Sequence, residues 1–307
     1  MNERSQNRSG GMWLLSFAVT AGAALCGHMS WLPTLVGGLG AILLYELRLK
    51  RPVGKVPGLI AALQVLWLAV PLAVFAAVAR DLFPDASNEV YVPLVVLALS
   101  WLLARHPRDG VLACCVIVAY FLLAAVAVVC VFSLPGLQWR WLSPSFDWME
   151  ALTALAFAGG GMALSSAVPG VKPGKLWRWI AFLCPAVIAA VVAGSLSEPL
   201  ARQQDAAFYT LSRSISLFGV VERFEALVAS CLTLGLCSAC ALLLHAARQL
   251  IPSKGRDGVT AFLCLAALGG TFLRISPMIP VLATILIWVL LPLIRIRKKS
   301  KNCEKSS

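Results

Sequence analysis

Long apolar runs recur along the whole chain, and short clusters of charge separate them. Continuous stretches of Leu, Val and Ala fall near residues 12–27, 31–47, 57–79, 90–104, 110–134, 148–168, 176–195, 225–247, 257–274 and 277–294. A helix that crosses a bilayer needs about 20 mostly apolar residues. The first and fourth runs are short by that measure; the others reach or approach it. Inside lipid every backbone N–H and C=O must find an internal partner, so only helices or closed barrels span. Barrel strands alternate apolar and polar residues over about ten positions. These runs are continuous, so the pattern predicts helices. The expectation is an all-α polytopic membrane protein of about ten transmembrane helices, with residues 1–307 forming one transmembrane domain.

Composition agrees: 60% of the residues are hydrophobic and 13% are charged. A soluble domain carries about 25% charged residues. The net charge of +12 would fit a nucleic-acid binder, but the basic residues lie in short loops and a tail. With the N-terminus inside, twenty of the 26 Lys and Arg residues fall on the inner side and six on the outer side. The inner set includes Arg48, Lys50, Arg51 and Lys55, then Lys172, Lys175 and Arg178, and the tail from Arg295 to Lys305. The outer six are Arg80, Arg140, Arg202, Arg213, Arg223 and Arg274. Basic residues favour cytoplasmic loops. The count therefore predicts a cytoplasmic N-terminal segment (1–11), a basic cytoplasmic tail (295–307) and no nucleic-acid partner. Arg4 and Arg8 before the first apolar run also resemble a signal peptide's start, but Ala24-Leu25-Cys26 lacks the small-x-small cleavage pattern. The run is read as a short first helix.

Candidate chemistry is sparse. Cys237 and Cys240 form a C-x-x-C, yet they lie within an apolar run without a second pair, where Cys acts as a small hydrophobe. His28, His106 and His245 are scattered. No hydrolase, kinase or metal motif is present, so neither an enzyme, a metal site nor a cofactor is expected. Glu46, Glu150 and Glu225 lie near run ends, where interfacial solvation or pairing is favoured over proton coupling. Glycines are more informative. The sixth run reads Phe157-Ala158-Gly159-Gly160-Gly161, and the first carries Ala21-Gly22-Ala23-Ala24. Each Gly weakens a helix by about 1 kcal/mol relative to Ala. Such stretches permit close helix packing, or break a helix so that its free N–H groups hold a ligand carboxylate. Both readings stand at this point.

The longest stretch between runs, 196–224, contains Phe208, Leu211, Ile215, Phe218 and Val221 at helical spacing. Ser212, Ser216, Gly219 and Arg223 fall on another face. The pattern predicts an outer amphipathic helix lying on or dipping into the membrane. The sequence from Phe208 to Leu227 resembles the signature of the spore germination permease family, the B subunits of nutrient germinant receptors. Tyr209 stands at the family's aromatic position, and Arg213, Ile215, Glu222, Arg223 and Glu225 match its Arg-x-Ile and Glu-Arg-x-Glu pattern; Thr210 stands where the family often has Pro.

That family belongs with the amino acid–polyamine–organocation transporters. The resemblance implies a five-plus-five inverted-repeat (LeuT-like) transporter fold with an abbreviated first helix. It implies a small nutrient ligand, such as an amino acid, held between spans one, three, six and eight. Spans one and six correspond in such a repeat, which makes Ala21, Gly22, Phe157, Ala158, Gly159, Gly160 and Gly161 the candidate ligand residues. Tyr209, Arg213, Glu222, Arg223 and Glu225 become candidates for gating, by Arg–carboxylate pairing. The resemblance further implies A- and C-type receptor subunits as partners, in a spore inner membrane or cell membrane. A secondary amino acid transporter is the alternative, and a purely structural scaffold a third.

Overall fold

A computed structural model describes residues 3–49, 58–83, 90–142, 145–167, 173–204, 206–215, 224–251 and 255–272. The helices in chain order are α1 Glu3–Leu25, α2 Trp31–Leu49, α3 Gly58–Trp67, α4 Ala69–Asp81, α5 Tyr91–Arg105, α6 Arg108–Ser133, α7 Trp148–Ala167, α8 Lys175–Leu196, α9 Glu198–Arg202, α10 Ala207–Arg213, α11 Phe224–Leu250 and α12 Arg256–Gly270. No strand occurs among the described residues. The first nine apolar runs coincide with these helices; the tenth, 277–294, lies outside the described residues.

Among the described residues, four helical stretches are long and apolar enough to cross a membrane: Ala62–Asp81, which takes in the end of α3 and all of α4, Arg108–Gly136, Lys175–Leu196 and Glu225–Leu250. Large apolar side chains face outward along several helices. Leu43 and Leu265 are each 66% exposed, and Ile117, Tyr120 and Phe121 are similarly open. In water an apolar surface this extensive would drive association; in lipid it is the solvated face. The architecture is that expected of an all-α membrane protein.

Two departures from the expected pattern have local causes. The third run is two helices, not one. Pro71 has no N–H to donate to the Trp67 carbonyl, and the Leu68 N–H bonds Val65 O in a tighter turn, at 3.1 Å. Of the expected outer amphipathic helix, the described part is α10, a short helix that the separate α9 precedes. Phe208, Leu211 and Ser212 of α10 are all buried, because α10 packs on α11, α8 and α6. Ser212, expected on the polar face, donates its hydroxyl to Tyr209 O at 2.7 Å and so enters the core satisfied. The α10 part of the stripe is seated on protein. Residues 216–223 lie outside the described residues.

The helices pack in two groups. In the first, α1 lies chiefly on α8, and α2 lies on both α7 and α8. In the second, α4 lies on α12 and α5 on α11. α6 runs against both α1 and α11 and so bridges the groups. Small residues set the first group's close spacing. A Cβ added at Gly22 would stand 2.8 Å from Pro185 Cα, and one at Gly37 2.5 Å from Ala151 O. Without side chains at these points the backbones approach to distances that larger residues forbid.

Candidate functional site

The cavity at the centre of the first group is lined by Ala21 and Gly22 of α1, Thr34 and Gly38 of α2, Phe157 and Ala158 of α7, and Phe182 and Pro185 of α8, among others. It thus joins four of the seven candidate ligand residues. These elements are the first, second, sixth and seventh apolar runs, not the first, third, sixth and eighth. The walls are apolar except for the Thr34 hydroxyl, which donates to Ser30 O at 2.7 Å. The cavity measures about 30 Å³ in space open to the centre of a water-sized sphere. A water needs about 10–15 Å³ by that measure, so about two to three waters fit in this conformation, and an amino acid does not.

Gly159, Gly160 and Gly161 lie within α7, whose helix runs from Trp148 to Ala167 without interruption. The broken-helix reading of this stretch therefore does not describe this conformation. Beside the cavity, Phe157 meets Phe75 of α4 at a centroid distance of 6.3 Å, and Phe75 meets Phe17 of α1 edge-on at 5.8 Å. These three rings fill the junction of the first, third and sixth runs.

A second, smaller cavity of about 10 Å³, by the same measure, lies between α1, α4, α10 and α11. Thr20, Ala23 and Ala24 face Val78, Leu82, Leu232 and Leu236 across it, and Tyr209 closes one side. Tyr209 is thus placed against the first, third and eighth runs. Arg213 is exposed and Glu225 half-buried, and neither forms an ion pair with another described residue. Glu225 sits in the first turn of α11, where the helix dipole favours a carboxylate. Glu222 and Arg223 lie outside the described residues.

The charged cluster that does form was not among the candidates. Arg202 Nη2 lies 2.6 Å from Glu150 Oε1 and 2.8 Å from Glu198 Oε1. Ser30 Oγ and Ser145 Oγ donate to Glu198 Oε1 at 2.7 and 2.6 Å, and the Ser30 N–H donates to Glu150 Oε2 at 2.7 Å. Ser30 starts α2: its carbonyl accepts the Thr34 N–H at 3.1 Å. The network thus ties the α1–α2 turn to α7 and α9. Burial raises the Glu198 pKa, but hydrogen bonds from Ser145, Ser30 and Arg202 outweigh it and hold the carboxyl below its ordinary value. Glu150 was legible only as a carboxylate near a run end, and Arg202 only as one of the outer arginines.

Glu46 also finds a partner. Arg178 Nη1 stands 2.9 Å from Glu46 Oε1, and its guanidinium lies 5.1 Å from the Tyr45 ring centroid. This pair joins the C-terminal end of α2 to the N-terminal end of α8, opposite the Arg202 network. On that same side Arg105 of α5 and Arg248 of α11 share Asp257 of α12.

No protein-family model matches the chain, and no curated protein matches it.

Proposed function

We propose that this chain is the permease-like subunit of a spore nutrient germinant receptor. It binds a small nutrient, such as an amino acid, between its helices and signals through A- and C-type partner subunits in the spore inner membrane or cell membrane. The observation that carries this reading is the stretch from Phe208 to Leu227, with Tyr209, Arg213, Ile215, Glu222, Arg223 and Glu225 at the family's positions. Two structural observations support it. Ala21, Gly22, Phe157 and Ala158 border one cavity. Two sets of helix contacts are also ones that a five-plus-five inverted repeat would relate. Run one packs on run seven as run six packs on run two, and run three on run nine as run eight on run four. Adding five to each member of one pair, cyclically, gives the other. Nutrient binding would favour one of two conformations and bias the partners through that shift.

The test is germination of spores lacking this gene and any paralogue, against single nutrients. Loss of the response to one nutrient, restored by the intact gene, is expected; unchanged responses to all of them overturn the reading. The same packing symmetry supports the second reading, a secondary amino acid transporter. Proteoliposomes decide that one: uptake or exchange of an amino acid supports it, and none for any amino acid removes it.

A further inference from the structure

The geometry points to Arg202 as a positioning residue that clamps the α1–α2 turn, at one end of the cavity, beneath α9. The argument starts from the turn itself. Gly27 has φ +100°, a conformation open to glycine and strained for other residues. A Cβ there would stand 2.6 Å from Ala201 O and 2.9 Å from Ala207 Cβ. The turn is therefore pressed against α9 and the start of α10. Two residues on, Met29 lines the cavity, as do Leu25 before the turn and Thr34 in the first turn of α2. The turn thus forms one end of the cavity and bears on α9.

What holds α9 down is the network around Arg202. Its guanidinium reaches across to Glu150 of α7 and to the Ser30 hydroxyl at 2.7 Å, while Glu198 of α9 takes hydrogen bonds from Ser30 and Ser145. The arginine is 44% exposed, but the carboxylates are not: the Glu150 and Glu198 side chains are 9% and 15% exposed. An exposed ion pair contributes little. Removing the cation here instead leaves two sheltered carboxylates facing one another, which is strongly unfavourable. The relief open to two carboxylates that stay ionised is for α9 to lift, which hydrates both and opens the turn. Ser197, just before α9, already holds a left-handed φ of +68°, a conformation that costs a non-glycine residue of order 1 kcal/mol or more. It marks the joint about which α9 would swing.

Cys26 reports the opening through α10, which follows α9, since its thiol lies beside the Phe208 backbone. It is 2% exposed, at the entrance to the turn, with its thiol 3.3 Å from Ala23 O. The experiment compares maleimide labelling of the detergent-solubilised full-length protein and its Arg202→Ala variant, read by peptide mass spectrometry. Cys240, wholly buried in α11, serves as the internal control for unfolding. The expected result is a rise of about tenfold or more in the Cys26 labelling rate, with Cys240 still protected. Unchanged Cys26 labelling overturns the proposal. If both cysteines label, the arginine variant has unfolded and Ser145→Ala decides, since it removes only the hydroxyl that bonds Glu198 and Ser30. Faster labelling at Cys26 alone then supports the clamp, and no change rejects it. No nutrient is needed, so failure here leaves the proposed function untouched.

Discussion

Gly38 of α2 lies so close to Phe182 of α8 that an added Cβ would stand 2.3 Å from the Phe182 carbonyl oxygen. The obstructing atom is backbone inside a helix, so no rotamer change relieves it. Gly38→Ala must separate two helices and is expected to cost about 1–3 kcal/mol, the range for overpacking. Gly258→Ala, in open space, should be neutral or slightly stabilising, since Ala is the better helix former. Thermal unfolding in detergent checks the pair; equal melting temperatures would show that α2 and α8 are not closely apposed.

Phe75→Ala should be more damaging still. The ring is fully buried and touches both Phe17 and Phe157. Removing it leaves a void where three helices meet, at a cost of about 3–5 kcal/mol. Denaturant titration of the variant beside wild type measures it, and a loss under about 1 kcal/mol would mean that the junction collapses to fill the space.

Ser100→Ala should cost little. The Ser100 hydroxyl bonds both Val96 O of its own helix and Cys237 O of α11, at 2.6 and 3.0 Å. Hydrogen bonds between membrane helices average about 0.6 kcal/mol. The same titration should therefore place this variant close to wild type, well above Phe75→Ala.

Acid should weaken the Arg202 network. The Glu198 pKa is lowered in the fold, so its contribution is complete above the ordinary value of 4.5 and is lost as pH falls through the lower folded value. Arg202 keeps its charge throughout: burial lowers its pKa, but Glu198 and Glu150 together raise it. Melting temperatures of wild type and Glu198→Gln from pH 7 downward test this. Wild type should lose its advantage over the variant below about pH 4.5; a constant difference would show that Glu198 does not titrate with the fold.

The helices were legible because lipid solvation leaves a direct trace, a continuous apolar run of spanning length. Their partners left fainter traces. Gly22 was visible as part of a small-residue stretch, yet Gly37 and Gly38 have the same composition and their role appears only once Ala151 and Phe182 lie opposite them. The Arg202 network was hidden for a related reason. Ser30, Ser145, Glu150, Glu198 and Arg202 come from three separate connections or helix ends, and only Glu198 and Arg202 are linked by a helical i,i+4 spacing. The α10 stripe misled because helical spacing marks which residues share a face, not what covers it. Ser212 is buried through a local hydrogen bond that hydropathy counts as a polar, outward position.

The size of the central cavity sets a condition on any ligand that uses it. With room for only about two to three waters, a ligand larger than that would need a form in which α1 and α2 stand further from α7 and α8. A ligand's apparent dissociation constant is its intrinsic value divided by the fraction of molecules in that form. Substitutions that widen the cavity without touching the ligand would thus raise affinity, and measured affinities would report the openness of the bundle as much as the fit of the molecule inside it.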